Sequence, residues 1–187
     1  MAIKVSGSWN EGYVMDMYVE KSIYIQDDAF GNPIFNTTYT EIGKLLHSMK
    51  YNGHYDNSSA IADICTPFLK KWLADKEIDI IIPAPPTVRR DNQPVYMIAE
   101  AIANSMNLPY SDCILEKTDQ VQSKNMPKDK KEISGTIIQL KPAKRKCNIL
   151  LIDDFYSTGE TAAECVNVLK KDILIDKVFY FSIAKTK

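Results

Sequence analysis

Three short apolar runs, rich in β-branched residues, constrain the fold most strongly. They lie at 78–84 (IDIIIPA), 147–153 (CNILLID) and 176–184 (DKVFYFSIA). A continuous apolar run of this length predicts a strand buried on both faces, as in a parallel sheet covered by helices. Helical periodicity at 98–105 and at 162–169 alternates with these runs. The alternation predicts an α/β fold with a central, mostly parallel sheet flanked by helices.

The first forty residues follow a different pattern. Aromatic and β-branched residues alternate loosely over 13–19 and again over 22–26, and the cluster DDAFGNP at 27–33 is typical of a turn. We therefore expect residues 1–40 to form a small antiparallel β-hairpin or helical cap. The rest of the chain, 41–187, would form the core of a single domain, since there is no internal repeat and no low-complexity tract.

Helical periodicity follows the predicted turn. Thr40 is a suitable N-cap for a first helix. A second apolar stripe spans 61–72, where Pro67 predicts a kink or a break. Two further short runs, CILEK at 113–117 and TIIQL at 136–140, are typical of strands.

The composition is that of an ordinary globular protein, with 45% hydrophobic and 25% charged residues. The formal net charge of −1 argues against a dedicated nucleic-acid-binding protein, although a local basic patch stays open. No apolar run approaches the length that spans a bilayer, and the first residues, MAIKVSGSWNEGY, lack the apolar region of a signal peptide. We therefore expect a cytoplasmic protein without a membrane partner.

The four cysteines do not form a metal-binding pattern. They are Cys65, Cys113, Cys147 and Cys165, and no two are close enough in sequence for zinc-ligand spacing. Cys65 and Cys165 fall on apolar helical stripes, where a free cysteine is usually a small core residue. This usage fits a reducing compartment.

Two adjacent carboxylates, Asp153 and Asp154, end the second apolar run. Ligands of open parallel sheets bind outside the carboxyl ends of the strands. After the acids, Gly159 allows a close backbone approach, and the helix that follows presents unpaired N–H groups. The hydroxyl donors nearby are Ser157, Thr158 and Thr161. Together these groups suit a sugar phosphate, whose hydroxyls or hydrated Mg²⁺ would meet the acids. A plain strand-to-helix turn with an N-cap stays open as the alternative.

The thirteen residues at 149–161, ILLIDDFYSTGET, resemble the phosphoribosyl-pyrophosphate (PRPP) signature of type I phosphoribosyltransferases. The resemblance implies the fold of that family. It also implies that the two acids meet the ribose 2- and 3-hydroxyls and that 157–161 surround the 5-phosphate. Mg²⁺ would arrive with PRPP and reach either acid through water. The residues assigned to PRPP binding are Asp153, Asp154, Tyr156, Ser157, Thr158, Gly159, Glu160 and Thr161. Tyr156 would pack near the ribose as an aromatic lid, and the alternative is that it simply fills the core.

Within that family the chain looks most like the ComF (competence protein F)-like phosphoribosyltransferases. Tyr156 within DDFYSTG is typical of that group, and the segments at 83–103 (PAPPTVRRDNQPVYMIAEAIA) and 45–53 (LLHSMKYNG) resemble two of its other motifs. The chain departs from the group in two respects. It has no CxxC pairs near its N-terminus. The segment KKEISG at 130–135 also stands where the group usually has Arg-x-x-Asn-x-x-Gly.

Two further loops are assigned through the resemblance. The pyrophosphate loop would follow the first apolar run and comprise Ala84, Pro85, Pro86 and Thr87. Arg89 and Arg90 would clamp pyrophosphate oxygens, and the alternative is a stiff surface turn with solvated arginines. The lysine-rich segment 118–133 takes the place of the mobile loop that closes over PRPP. Lys124 is our candidate for the residue that reaches the pyrophosphate, and the alternative is that its lysines only solvate the loop.

The implied reaction is displacement of pyrophosphate from C1 of PRPP by a nitrogen nucleophile, in nucleotide metabolism or salvage. Ser157 stands where purine-salvage relatives carry an acidic base, so the acceptor would not be a purine handled in that way. The alternative is a non-catalytic PRPP- or nucleotide-binding regulator, or a competence-type DNA-handling factor, on the same fold. The sequence does not specify the acceptor, and a homodimer is one possible assembly.

Overall fold

In the computed structural model of the chain, residues 2–86, 90–118 and 136–186 are described. The strands are β1 (Ile3–Lys4), β2 (Glu11–Met17), β3 (Val19–Asp27), β4 (Pro33–Tyr39), β5 (Ile80–Pro83), β6 (Leu115–Lys117), β7 (Ile137–Gln139), β8 (Cys147–Tyr156) and β9 (Ile175–Lys185). The helices are α1 (Glu41–Asn52), α2 (Asn57–Trp72), α3 (Pro94–Met106) and α4 (Glu160–Leu169). Over the described ranges, no helix combines the length and apolar character needed to cross a membrane.

The central sheet has five strands in the order β1-β2-β9-β8-β5. The contacts β2–β9, β9–β8 and β8–β5 are parallel, and only β1 is antiparallel to its neighbour. The three apolar runs of the sequence form β5, β8 and β9. The predicted fold class, a mostly parallel sheet flanked by helices, is therefore confirmed.

Helices cover both faces of the sheet. In β8, Leu150 and Ile152 pack in one cluster with residues of α1, α2 and α3, whereas Leu151 packs in a second cluster with residues of α4. This division follows from the alternation of side chains along a strand. Cys65 and Cys165 are fully buried, one in each cluster, as predicted.

The N-terminal strands are arranged only partly as predicted. β3 and β4 form an antiparallel hairpin whose turn lies at 28–32, inside the predicted turn cluster. The expectation that 13–19 belongs to such a hairpin is wrong, because β2 lies in the central sheet, parallel to β9. β9 is buried along nearly its whole length and needs a neighbour at each edge. Loose alternation in 13–19 does not reveal which strand it pairs with.

The first two helices follow from local signals and from packing. Thr40 is the N-cap of α1, as predicted, because its Oγ1 accepts a hydrogen bond from the Gly43 N–H at 3.0 Å. α2 runs through Pro67, so the chain does not break there. Cys65 and Leu69, on either side of this proline, are fully buried. Their packing outweighs the backbone hydrogen bond that proline removes.

The predicted strands at 113–117 and 136–140 exist as β6 and β7, but they form a separate antiparallel pair. Thr118 and Thr136 are joined by a backbone hydrogen bond of 2.7 Å. The Glu164 carboxylate on α4 accepts hydrogen bonds from the Thr136 N–H at 2.7 Å and the Ile137 N–H at 3.1 Å. These bonds attach the small sheet to the face covered by α4.

Candidate functional site

The site lies where β5 ends beside β8, which itself continues through Asp153 and Asp154 to Tyr156. Pro83 is in register with Ile152, and the Ala84 N–H donates a hydrogen bond of 2.7 Å to the Ile152 carbonyl. The chain leaving β5 therefore passes directly beside Asp153. Two loops that are far apart in sequence meet here because both strands are parallel and end at the same edge.

The Asp153 side chain faces the α4 side of the sheet. Its Oδ1 accepts a hydrogen bond from the Asp154 N–H at 2.8 Å, and its Oδ2 accepts one from the Tyr180 hydroxyl at 3.3 Å. Burial and then the charge of Asp154 raise the pKa of Asp153 to about 7, against the opposing effects of the Asp154 N–H and Lys50. The Asp153 carboxyl therefore keeps its proton to a higher pH than an ordinary aspartate does.

The Asp154 side chain faces the opposite side of the sheet. Its Oδ2 is 2.6 Å from Nζ of Lys50, in the last turn of α1. The same Nζ is 4.0 Å from the centroid of the Phe155 ring. The different partners on opposite faces reduce the repulsion between these neighbouring acids, although the charge of Asp154 still raises the pKa of Asp153. Each has its own partner on its own face of the sheet.

Lys50 is a site residue that the residue-by-residue prediction missed. It lies within the segment 45–53, whose resemblance to a family motif was noted without a role. The available signal was a basic residue in the last turn of a predicted helix, which identifies a cation but not its partner. Sequence spacing cannot show that the cation meets Asp154, since the two residues are far apart in the chain.

The turn between β8 and α4 depends on a glycine. Gly159 is the N-cap of α4 and has a φ of 82°, which a residue with a side chain rarely adopts. A Cβ at this position would lie 2.9 Å from Cε2 of Tyr156. Ser157 and Thr158 are exposed at this turn, and the Thr158 Oγ1 accepts a hydrogen bond of 3.4 Å from the Glu160 N–H at the start of α4. Hydroxyls and peptide N–H groups at a helix start form an anion-binding site.

The Tyr156 ring packs between this turn and the buried cluster on the α4 side of the sheet. It lies 6.4 Å from the Trp9 ring and 6.1 Å from the Tyr180 ring. Nζ of Lys185 lies 5.6 Å from the Tyr156 ring centroid. The structure thus places Tyr156 beneath the turn, packed against aromatic neighbours.

A cavity of about 280 Å³ opens beside the two acids. Its wall includes Asp153, Asp154, Lys50, Arg90, Thr161 and the loop residues Ala84, Pro85 and Pro86. A second cavity of about 250 Å³ shares Pro85, Pro86 and Arg90 with the first. The wall therefore combines two acids with two cations, which suits a ligand that carries both hydroxyl and phosphate groups.

The structure brings most of the predicted residues together. Both acids, Thr161, Arg90 and 84–86 line one cavity, whereas 156–160 form the turn at its edge. Thr87, Arg89 and Lys124 lie outside the described residues, so their assignments stay predictions.

No protein-family model matches the chain, and no curated protein matches it. Solved structures with a similar chain path include three adenine phosphoribosyltransferases. The one from Saccharomyces cerevisiae, complexed with an imino-altritol bisphosphate and adenine, is 11% identical, with a TM-score of 0.47 over 89% of this chain and 83% of that chain. The one from Leishmania tarentolae is 11% identical, with a TM-score of 0.47 over 99% and 94%. The one from Thermoanaerobacter pseudethanolicus is 14% identical, with a TM-score of 0.44 over 88% and 94%. Likenesses this weak carry no argument about substrate or activity.

Proposed function

We propose that this protein binds PRPP with Mg²⁺ at the carboxyl end of β8 and catalyses displacement of pyrophosphate by a nitrogen nucleophile. The observation that carries the proposal is the arrangement of 153–161. Two carboxylates point to opposite faces of one strand end, and a glycine-capped helix start follows them. The resemblance of 149–161 to the PRPP signature of type I phosphoribosyltransferases, and of the wider chain to the ComF-like group, supports the same assignment.

The parts of PRPP can be assigned to parts of the wall. The exposed hydroxyls and peptide N–H groups of 157–161 would bind the 5-phosphate, because a helix start attracts anions. Asp153 and Asp154 would accept hydrogen bonds from the ribose hydroxyls. The pyrophosphate would lie toward 84–86 and Arg90, on the other side of the same cavity. Prolines in that loop fix φ and so present its backbone in one conformation.

Magnesium fits this site only as an ion that is delivered with the ligand. Among the residues that the structure describes, no three His, Cys, Asp or Glu side chains cluster closely enough to hold a metal. Mg²⁺ prefers oxygen ligands and usually combines one or two carboxylates with waters and substrate phosphates. Asp153 or Asp154 would meet that requirement through water. The bound ion would neutralise charge on the pyrophosphate.

The chain's own residues would act by positioning and by electrostatics. The bond from the nitrogen to C1 forms as the bond from C1 to the pyrophosphate oxygen breaks, so no nucleophilic side chain is needed. Arg90 would stabilise the negative charge that develops on the leaving group. Lys50 would reduce repulsion between Asp154 and the ligand's phosphates. Arg89 and Lys124 are proposed to assist at the pyrophosphate.

A non-catalytic PRPP- or nucleotide-binding regulator is the second candidate. It is favoured by Ser157, which supplies no acidic base at the turn, and by the close ion pair between Lys50 and Asp154 on the cavity wall. A site with these features can bind a phosphorylated sugar without activating an acceptor. A DNA-handling role has less support, since the formal net charge is −1.

The two candidates are separated by measuring PRPP consumption and pyrophosphate release with a panel of nucleobases and amines in the presence of Mg²⁺. The enzyme proposal expects one acceptor to give matched pyrophosphate release, and Asp154→Asn to abolish it. A regulator would bind PRPP without turnover for any member of the panel. Absence of PRPP binding would contradict both candidates.

A further inference from the structure

The hairpin of β3 and β4, which we call the arm, exposes large apolar side chains on both faces. Phe30 at its tip is 91% exposed, and five more apolar residues are between 40% and 57% exposed: Ile23, Tyr24, Ile25, Ile34 and Phe35. A two-stranded hairpin is at best marginally stable in water, whereas three or more strands with an apolar face are stable. No third strand from the described part of the chain joins the arm.

The two edges of the arm differ. β3 contains Glu20, Lys21 and Asp27, and its pairing with β4 shifts register twice, between Val19/Lys21 and between Tyr24/Gln26. Charges and bulges are the devices by which natural proteins block edge pairing. β4 (PIFNTTY) carries no charge, and each register shift adds a residue to β3, not to β4. The open edge of the arm is therefore that of β4.

We propose that the arm binds a second copy of this chain, with the two β4 strands paired antiparallel across a twofold axis. The product is a four-stranded sheet in the order β3-β4-β4-β3. It supplies the additional strands that the arm lacks. It also provides partners for the backbone N–H and C=O groups along the outer edge of β4.

Self-pairing suits the composition of β4. Antiparallel pairing about the middle of Pro33–Tyr39 places Asn36 opposite Asn36 of the partner subunit, and Phe35 opposite the partner subunit's Thr37. The pair of Phe35 and Thr37 is of the aromatic and β-branched kind that stabilises a sheet, and no like charges face each other. A charged strand paired with itself in this way would oppose like charges. The absence of charge in β4 therefore favours a second copy as the occupant.

The difference between the β3 and β4 edges of the arm limits the assembly to two chains. A twofold contact uses the same surface on both subunits and closes after one pairing. The outer strands of the resulting sheet are the two β3 strands, whose charges and bulges block further addition. A dimer, and not a fibre, is the expected product.

The arm is also connected to the cavity wall. At its base, the Tyr39 ring is 5.0 Å from the Tyr18 ring, which in turn is 4.6 Å from the Phe155 ring. Phe155 lines the cavity beside Asp154. Pairing of the arms would therefore fix an element that packs against one wall of the site.

The first test compares two single lysine substitutions in the full chain by light scattering coupled to size-exclusion chromatography. Asn36→Lys places a lysine at the centre of the open β4 edge, whereas Ser22→Lys places one on β3 of the same arm. The wild type and Ser22→Lys should have twice the chain mass of 21.2 kDa, and Asn36→Lys should have the monomer mass at the same concentration. A monomeric wild type, or an Asn36→Lys dimer as stable as the wild type, would overturn the proposal.

A second variant tests the pairing even if a lysine in the arm disturbs folding. Asn36→Cys places two thiols opposite each other at the axis, where the Cα separation of facing residues allows a disulfide. Mild oxidation should give a covalent dimer of Asn36→Cys in high yield, and much less with the wild type, which has four cysteines of its own. Equal crosslinking of the two proteins would overturn the β4 contact.

Discussion

The two ends of the central sheet hold carboxylates in opposite ways. At the amino end, Asp79 accepts a hydrogen bond from the Asn148 N–H at 2.9 Å and pairs with Arg145 at 2.8 Å. The Asn148 N–H, and then Arg145, hold the pKa of Asp79 below its ordinary value. At the carboxyl end, burial and the charge of Asp154 raise the pKa of Asp153 to about 7.

Asp172 repeats the amino-end pattern. It precedes β9 and accepts hydrogen bonds from the Ala143 N–H at 2.7 Å and the Leu174 N–H at 3.1 Å. These bonds, with one from Gln139, lower the pKa of Asp172. A carboxylate with a lowered pKa stabilises the fold, whereas one with a raised pKa costs stability. The carboxylates at the amino end therefore stabilise the fold, whereas the carboxyl end retains an acid that costs stability, as binding sites do.

The largest effect on stability is expected from Lys50→Met at the carboxyl end. It leaves the partly buried Asp154 without its cation and should lower the free energy of unfolding by about 2–3 kcal/mol. It should also raise the pKa of Asp153 further, because Lys50 favours the ionised form of that acid. Urea unfolding and carboxyl-carbon NMR measure the two effects. Lys44→Met, on the exposed side of the same helix, is the control, and equal losses in the two variants would contradict the role of the ion pair.

Gly159→Ala should be the next most damaging change. The alanine would have a φ of 82°, and its Cβ would lie 2.9 Å from the Tyr156 ring. We therefore expect the free energy of unfolding to fall by about 2 kcal/mol. Gly31→Ala is a matched control, since Gly31 has the same φ and nothing within 4 Å of a Cβ. It should lose only about 1 kcal/mol, from the backbone alone. If thermal unfolding shows the same loss for both, the close packing of the turn on Tyr156 is not important.

Asp153→Asn is expected to stabilise the protein by about 1–2 kcal/mol at pH 8. Because the folded pKa of Asp153 is raised from 3.8 to about 7, the folded state binds more protons between these values. The free-energy cost of burying Asp153 therefore grows as the pH rises through this window and is constant above it. The gain from Asp153→Asn should shrink from pH 8 to pH 5 in urea unfolding. A gain that is equal at both pH values would refute the raised pKa.

Asp79→Asn, at the amino end, should have the smallest effect and the opposite sign. It removes an ion pair in which Arg145 is largely exposed, so we expect a loss of only about 0.5 kcal/mol at pH 7. Because the pKa of Asp79 is lowered in the folded state, its contribution to the free energy of unfolding is fully present above the ordinary pKa of an aspartate. This contribution is lost as the pH falls through the pKa of Asp79 in the folded protein. Unfolding at pH 7 and pH 3 should show a smaller loss at the lower pH. An equal loss at both pH values would mean that the ionised form is not what matters.

The sequence was sufficient for the parts of the fold that depend on local patterns. The runs that became β5, β8 and β9 are apolar on both faces, and this property alone places them inside a covered parallel sheet. The pairing of β2 with β9 was not predictable in the same way. Alternation identifies a strand, but the partner is set by which buried edge remains free. The passage of α2 through Pro67 likewise depends on packing from other helices.

For the site, the sequence specified the strand-end acids and the glycine turn, because both lie in one continuous stretch. It did not specify Lys50, which comes from α1 and meets Asp154 only in the folded chain. It also did not show that Tyr156 packs beneath the turn against Trp9, from the N-terminal region. Contacts between distant segments were therefore the part that required the structure.

The most direct test of the central claim is calorimetric titration of Mg·PRPP into the wild type and into the double variant Asp153→Asn/Asp154→Asn. The control is Asp16→Asn. Asp16 is the penultimate residue of the parallel strand β2 and accepts a hydrogen bond of 2.8 Å from the Met17 N–H, but it is not among the residues of the cavity wall. We predict binding by the wild type and by Asp16→Asn, and none by the folded double variant. Unchanged affinity in the double variant would contradict the assignment of the PRPP site to the carboxyl end of β8.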